Sequence, residues 1–195
     1  MNFEQIAKDA KEASLKIADL STKVKNQALL KIADAVEASK EKIFEANRED
    51  LKSAEELVKS GEITKSTFNR LKLDENKMRD MLKGIRDIAS LEDPINKKLL
   101  VRELDTDLTL YKVSCPIGVL GIIFEARPDV IAQISSLAIK SANAVIFVEN
   151  AKKPRSIFED TPGLKWTKLY QNRGAYRFIP PQVTNIWEFI FFCGL

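Results

Sequence analysis

The residues with the clearest capacity for chemistry form the run Phe124-Glu125-Ala126-Arg127, between an apolar segment and Pro128. If that segment is a strand and a helix follows Pro128, the run lies beyond the carboxyl end of the strand, where open parallel sheets bind ligands. The free amides of a helix start carry partial positive charge, and the planar guanidinium of Arg127 suits phosphate or carboxylate. The sequence therefore predicts an anion-binding corner. A plain surface ion pair of Arg127 with Glu125 or Asp129 is the alternative.

Nucleophilic and metal chemistry is restricted by composition, because the chain has no histidine and two cysteines, Cys115 and Cys193. Without histidine there is no Ser-His or Cys-His pair and none of the usual zinc ligand sets. Both cysteines are therefore expected to be ordinary thiols, and no catalytic residue or metal ligand is predicted. Two cysteines are too few for a disulfide framework and are typical of a reducing compartment, which favours a cytoplasmic location.

A crossover unit is predicted to hold the anion-binding corner. Residues 117–124 are almost continuously apolar, as expected of a strand buried on both faces, and Pro128 suits the first residue of a helix. A second apolar strand follows at residues 144–148. Strand, helix and strand with short links predict a parallel, right-handed βαβ unit and an α/β fold. Gly118 and Gly121 lie inside the first strand, and neither a G-x-G-x-x-G nor a Walker A motif is present.

Amphipathic helices are predicted for the first ninety residues, where apolar residues recur at helical spacing between Lys, Asp and Glu. Ser21-Thr22 is expected to cap the second helix, and Asn47-Arg48-Glu49-Asp50 is expected to end it. A further helix is expected to stop at Ser60-Gly61. Asp74 is expected to cap the last of them, which must finish before Pro94 because proline disfavours helix in the residue preceding it.

The pattern changes twice after these helices. Residues 100–113 alternate around a turn at residues 105–107, which predicts a hairpin polar enough on one side to face water. Residues 149–195 contain nine of the 15 aromatic residues and four of the seven prolines, and no clear helical or strand period. This segment is expected to be a tail that was not selected to continue the preceding fold.

Charge and hydropathy exclude several classes of protein. The net charge is +3, from 31 basic and 28 acidic residues spread along the chain, which argues against a nucleic-acid binder. No stretch of about 18 apolar residues exists, so no membrane span is predicted. The early charges of the N-terminus are not typical of a signal peptide.

One run of residues resembles a known family. Residues 116–130 read P-I-G-V-L-G-I-I-F-E-A-R-P-D-V. This is similar to the signature P-I-G-V-x-G-x-I-[FY]-E-[AS]-R-P-[DN]-V of gamma-glutamyl phosphate reductase, also called glutamate-5-semialdehyde dehydrogenase. The similarity continues at residues 133–137 and 140–145 and upstream at residues 47–51 and 70–94. It covers about residues 1–147.

The resemblance implies the N-terminal portion of an aldehyde-dehydrogenase-like fold with an incomplete sheet. It also implies reduction of L-glutamyl 5-phosphate by NADPH to glutamate 5-semialdehyde and phosphate, a step of proline biosynthesis. In such enzymes a cysteine thiolate receives the acyl group before hydride transfer. By position, Ile123, Phe124, Glu125 and Ala126 match the segment that meets the cofactor, and Arg127 is the candidate for a substrate contact. Related dehydrogenases carry an asparagine oxyanion donor at the place of Ala126.

The chain also departs from the family. The family's catalytic cysteine lies in its second half, beyond this chain, so the chain is expected to be inactive alone. Val148-Glu149-Asn150-Ala151 stands where the family has a lysine and two glycines near the cofactor. The sequence therefore predicts a partial cofactor-binding domain at residues 1–147 and a divergent tail at residues 148–195, with a frameshift near codon 148 as its hypothetical origin.

Two functional hypotheses remain. The first is a reductase fragment that descends from an enzyme acting on a small-molecule substrate and is inert by itself. The second is a non-catalytic module that uses the hairpin at residues 100–113 to form a homo-oligomer or to pair with intact reductase subunits. Neither a nucleic-acid nor a membrane partner is predicted.

Overall fold

A computed structural model describes residues 3–124, 126–149, 165–169 and 174–179 of the chain. The helices are α1 (Phe3–Ala18), α2 (Thr22–Ala38), α3 (Lys40–Lys59), α4 (Lys65–Leu71), α5 (Glu75–Ser90) and α6 (Val130–Lys140). The strands are β1 (Lys98–Asp105), β2 (Leu108–Val113), β3 (Val119–Phe124), β4 (Ala144–Glu149), β5 (Lys165–Leu169) and β6 (Gly174–Ile179). No helix in these ranges is long and apolar enough to cross a membrane.

Side-chain caps fix where several helices begin. The Asp74 carboxylate accepts a hydrogen bond of 2.8 Å from the backbone N–H of Lys77, and the Ser21 hydroxyl accepts one of 3.4 Å from Val24. Both caps were predicted and are confirmed. The short helix α4, capped by Thr64, was not predicted. The end of α5 at Ser90 agrees with the expected stop before Pro94.

The expected break at Asn47-Arg48-Glu49-Asp50 is wrong. α3 runs through these residues, and the chain instead leaves α2 at Ser39. Asparagine is a poor helix former, but Asn47 is buried and its side chain bonds outside its own helix. Its Nδ2 donates to the Leu71 carbonyl at 2.8 Å, and its Oδ1 accepts from the Leu73 N–H at 3.0 Å. The side chain therefore ties α3 to the segment between α4 and α5.

A single hydrophobic core joins α2, α3 and α5 to α6 and to Phe147 on β4. The apolar face predicted for α5 is confirmed, since this helix buries Met78, Met81, Leu82, Ile85 and Ala89. Apolar residues at this spacing lie along one side of a helix, so the charged residues between them remain at the surface.

The predicted hairpin is confirmed as the antiparallel pair β1–β2, in which Val101 lies opposite Tyr111. Every residue of both strands is exposed, so both sides of the hairpin face water. At the base of the hairpin the Ser114 hydroxyl donates to the Pro94 carbonyl at 2.6 Å and accepts from the Lys97 N–H at 2.9 Å. The hairpin therefore projects from the body and is fastened at its base.

The βαβ unit is confirmed by the parallel pairing of β3 with β4. Gly118 was expected inside the first strand but precedes β3, and its φ of 114° is a conformation that side chains oppose. Its N–H donates to Asn143 Oδ1 at 2.8 Å, and its carbonyl accepts from Ala144 at 2.9 Å. α6 begins at Val130, two residues later than expected from Pro128.

The expectation that β3 is buried on both faces is wrong. Ile122 and Phe124 pack against the core, but Ile123 is 76% exposed on the opposite face. Alternate residues of a strand point to opposite faces, so the face of β3 that carries Ile123 is open to solvent at that residue. A continuous apolar run indicates a strand but does not tell whether a layer covers each side.

The sheet continues past the βαβ unit. Its strand order is β3-β4-β6-β5, and β6 is antiparallel to both neighbours. The sequence predicted no strand period after residue 148, so β5 and β6 were missed. The side of β4 away from β3 is consequently paired along Phe147–Glu149.

We predict that Asn47→Ala lowers the free energy of unfolding by about 2 kcal/mol, because the buried N–H of Leu73 loses its partner. Urea denaturation followed by circular dichroism measures this change. The exposed neighbour Arg48 provides the control, and Arg48→Ala is expected to change the free energy by less than about 0.5 kcal/mol. Equal losses in the two variants would contradict the bridging role of Asn47.

Candidate functional site

The anion-binding corner is a sharp turn between β3 and α6. Glu125 lies outside the described residues, and nothing is derived for it. Ala126 is buried and has a φ of 52°, in the left-handed region that costs an L-residue about 1 kcal/mol. Asp129 is the N-cap residue of α6, but its side chain makes no capping hydrogen bond. Pro128, Val130 and Ile131 at the start of α6 are buried, whereas Arg127 is exposed.

Arg127 is exposed at this turn and pairs with Asp129, its Nη2 lying 3.2 Å from Asp129 Oδ2. The same carboxylate oxygen accepts from Gln133 Nε2 at 3.2 Å. The ion pair that was the alternative interpretation is therefore present. Exposed pairs of this kind contribute little stability, typically below about 1 kcal/mol, so an incoming anion could displace Asp129 at low cost.

The other predicted site residues do not share one surface. Phe124 is half-buried, and its ring meets that of Phe147 edge-on, with centroids 5.9 Å apart and planes at 87°. Ile123 points to the opposite, uncovered face of the sheet. Phe124 thus supports the corner from inside, whereas Ile123 and Arg127 are open to a ligand.

A second polar cluster, which was not predicted, lies at the other end of α6. Lys25 on α2 is only 2% exposed and places its Nζ 2.6 Å and 2.9 Å from the two carboxylate oxygens of Asp93. The Asp93 carboxylate also accepts from the Thr22 hydroxyl at 2.7 Å and from the Ile95 N–H at 3.1 Å. Lys140, the last residue of α6, is also buried. We call Lys25, Asp93 and Lys140 the lysine–aspartate cluster.

Burial and bonding act in opposite directions on the charges of this cluster. Desolvation alone would raise the pKa of Asp93, but hydrogen bonds from Lys25, Thr22 and Ile95 hold the pKa of that carboxyl below its ordinary value. Burial lowers the pKa of Lys140; Asp93 opposes this effect, and the Lys25 ammonium adds to it. The Asp93 carboxylate therefore pairs directly with the Lys25 ammonium and acts on the Lys140 ammonium only through its charge.

A signal for this cluster existed in the sequence. Lys25 is three residues before Ala28 and seven before Ile32, so helical spacing places it on the buried face of α2. A lysine at such a position requires a buried partner. Interpreting all charged residues of the helices as a solvated surface concealed it.

Neither cysteine is placed at the corner by the described part of the chain. Cys115 is free and exposed, and it precedes β3, whereas the corner follows the carboxyl end of β3. Cys193 is outside the described residues. Within the described part of the chain, no group of three histidine, cysteine or acidic residues could hold a metal ion.

We predict that Asp93→Asn lowers the free energy of unfolding near neutral pH by about 3 kcal/mol, because the Lys25 ammonium loses its counter-ion. Since folding lowers the pKa of Asp93, the advantage of the wild type is complete above the ordinary value of 3.8 and is lost as the pH falls through the lowered folded-state value. Urea denaturation at a series of pH values measures both effects.

Two variants control this experiment. Asp93→Asn combined with Lys25→Met removes both charges and is expected to recover most of the loss. Glu75→Gln breaks the exposed pair of Glu75 with Lys40 and is expected to change stability by less than about 0.5 kcal/mol. A gap between wild type and Asp93→Asn that stays constant well below pH 3.8 would contradict the role of the Asp93 charge.

Comparison with known proteins places these features in a family. No family model matches the chain. The "Gamma-glutamyl phosphate reductase" of Brachyspira hyodysenteriae is 52% identical over 189 residues, which cover 97% of this chain and 40% of that protein. The protein of the same name from Methanosarcina barkeri is 46% identical over 153 residues, which cover 77% of this chain and 34% of that protein.

Solved structures agree. The crystal structure of gamma-glutamyl phosphate reductase from Saccharomyces cerevisiae matches with a TM-score of 0.73 at 42% identity, over 81% of this chain and 39% of that chain. The Thermotoga maritima structure of the same name matches with a TM-score of 0.69 at 29% identity, over 76% of this chain and 35% of that chain. The chain thus spans about two fifths of the length of its relatives. It belongs to the gamma-glutamyl phosphate reductase family, of which it matches the N-terminal part.

Proposed function

We propose that this chain is the cofactor-facing, N-terminal part of an NADPH-dependent reductase that converts L-glutamyl 5-phosphate to glutamate 5-semialdehyde and phosphate in proline biosynthesis. The observation that carries the proposal is the anion-binding corner. An exposed guanidinium, Arg127, stands beside the start of α6 at the carboxyl end of an apolar strand. This corner lies within residues 116–130, the run that resembles the family signature.

The corner fits a phosphate-bearing ligand. Arg127 offers a planar pair of donors, and its Asp129 partner is held by a 3.2 Å contact at the surface. NADPH would supply a hydride, and the residues of this chain would bind and orient it. In this proposal Ile123, Phe124, Glu125 and Ala126 form the segment facing the cofactor, and Arg127 holds a phosphate of cofactor or substrate.

The proposed reaction also needs a nucleophile, which we do not assign to this chain. The family's chemistry requires a thiolate close to the nicotinamide. Cys115 precedes β3 and so lies toward the wrong end of the strand for this role. We therefore propose that the thiol belongs to the part of the family's length that this chain does not span. A free, exposed cysteine is also in keeping with a cytoplasmic location.

We predict that the 195-residue chain binds NADPH without turning over glutamate 5-semialdehyde and phosphate, and that Arg127→Ala raises the Kd for NADPH about tenfold. Loss of one charge-assisted contact to phosphate is the physical reason. NADPH fluorescence titration gives the Kd, and absorbance of NADPH reports turnover.

Arg127→Lys keeps the charge but loses the donor fork, so its Kd is expected to lie between those of wild type and Arg127→Ala. Arg79, exposed on α5 and bonded to Asn76, supplies the matched control, and Arg79→Ala is expected to leave the Kd unchanged. A wild-type Kd that does not respond to Arg127→Ala would overturn the assignment of the corner.

The boundary at residue 147 remains a proposal as well. We propose a partial cofactor-binding domain before it and a divergent tail at residues 148–195, with a frameshift as its origin. The coding DNA read in the other two frames should then yield family-like sequence. The alignment with the Brachyspira protein covers 97% of the chain and so continues past residue 147. A frameshift origin of the tail has to be consistent with this continued similarity.

A second candidate function is pairing with intact reductase subunits through the β1–β2 hairpin. The observation in its favour is that both hairpin strands are exposed while carrying many apolar side chains: Leu99, Leu100, Val101, Leu104, Leu108, Leu110, Tyr111 and Val113. Contiguous exposed apolar surface of this kind is typical of interaction sites. The partner in this proposal is another subunit of the same family, with its own hairpin or sheet edge.

We predict that the chain co-elutes with an intact family reductase in gel filtration and that Val101→Lys with Tyr111→Ser abolishes co-elution. These residues are cross-strand partners on the hairpin, so the change places a charge in the apolar surface. Glu103→Gln, on the same strand, is the control and is expected to retain pairing. Co-elution that survives the double substitution would contradict the use of the hairpin.

A further inference from the structure

Three helices meet at Lys140, where α6 ends. The Lys140 side chain is only 4% exposed, and its ammonium donates to Asn26 Oδ1 on α2 at 2.7 Å and to the Ala89 carbonyl on α5 at 3.1 Å. The backbone carbonyl of Lys140 accepts from Lys25 Nζ at 3.3 Å. Both the side chain and the backbone of the last residue of α6 are therefore held by other helices.

Stability alone does not account for this lysine. A buried ammonium carries a desolvation penalty, and an apolar residue of similar volume often gives equal or greater stability at such a place. The cluster has one carboxylate, Asp93, and Lys25 already occupies both of its oxygens. The Lys140 ammonium instead fixes the end of α6 relative to α2 and α5, because its two directional hydrogen bonds end on acceptors of those helices.

The position of Lys140 matters for the other end of α6. The helix has 11 residues and is about 16 Å long, which is short enough to move as a rigid unit. Ala126 before it and Ala142 after it both adopt left-handed φ values, 52° and 54°, and both are buried. Because both ends turn sharply in closely packed surroundings, a shift at the C-terminal end is transmitted to the anion-binding corner.

We propose that Lys140 is a positioning residue that fixes α6 along its axis and thereby holds the anion-binding corner, Ala126 to Asp129, in its binding geometry. This inference rests on the proposed function of the corner. Lys140 itself touches no ligand. Its effect arises through the helix that it anchors, since small misplacements of a binding group weaken binding strongly.

The test compares Lys140→Met, which keeps the volume and removes the donors, with wild type and with Lys140→Arg, which keeps a donor cation. Lys140→Met is expected to raise the Kd for NADPH about tenfold and to speed hydrogen exchange of the backbone N–H groups of Arg127 and residues 129–131 about tenfold. Lys140→Arg is expected to recover part of both. Lys23→Met, at an exposed position of α2, is the matched control and should change neither.

A residue with a merely structural role would shift the midpoint of thermal unfolding and leave the corner as it is. The proposal is overturned if Lys140→Met changes only that midpoint, with the Kd and the exchange at Arg127 and residues 129–131 equal to wild type. If Lys140→Met does not fold, Asn26→Ala takes its place, because it removes only the 2.7 Å acceptor of the Lys140 ammonium. A raised Kd with faster exchange then supports the proposal, and a change in the unfolding midpoint alone overturns it. If the wild type does not bind NADPH, the proposed function fails, and hydrogen exchange alone decides the role of Lys140.

Discussion

Two ammonium groups and one carboxylate are buried together where α2, the end of α5 and the end of α6 meet. Removing such charges from water is unfavourable unless each finds bonded partners, and here the hydrogen bonds join groups from different elements. Lys25 arrives from α2, Asp93 from the segment after α5, and Lys140 from α6. The cluster therefore constrains the mutual placement of the helices more narrowly than apolar packing alone, which tolerates sliding.

The anion-binding corner is a consequence of this constraint combined with ordinary sheet geometry. β3 pairs in parallel with β4, and the carboxyl end of β3 leads into the start of α6. The turn between β3 and α6 is so short that Ala126 adopts a left-handed conformation. Arg127 then emerges beside the first amides of the helix. The run that resembles the family signature, residues 116–130, includes this turn.

Much of the architecture could be predicted because local rules agree with the fold. The caps at Ser21 and Asp74, the hairpin and the parallel pairing all follow from short-range signals. The failures have a common cause in tertiary context. Asn47 continues a helix because its amide finds partners on another segment, and Lys25 is buried because a distant carboxylate meets it. No local pattern reveals whether a second layer covers Ile123, and β6 joins β4 from a segment without strand periodicity.

The hydroxyl of Ser114 gives the hairpin a mechanical connection to the rest of the molecule. The Ser114 hydroxyl donates a hydrogen bond to the Pro94 carbonyl. The residue before that proline is Asp93, whose carboxylate pairs with Lys25. The base of the hairpin is thus one peptide away from a carboxylate that accepts hydrogen bonds from Thr22, Lys25 and Ile95. The chain of contacts continues through Lys25 to the carbonyl of Lys140, at the end of α6 opposite the anion-binding corner.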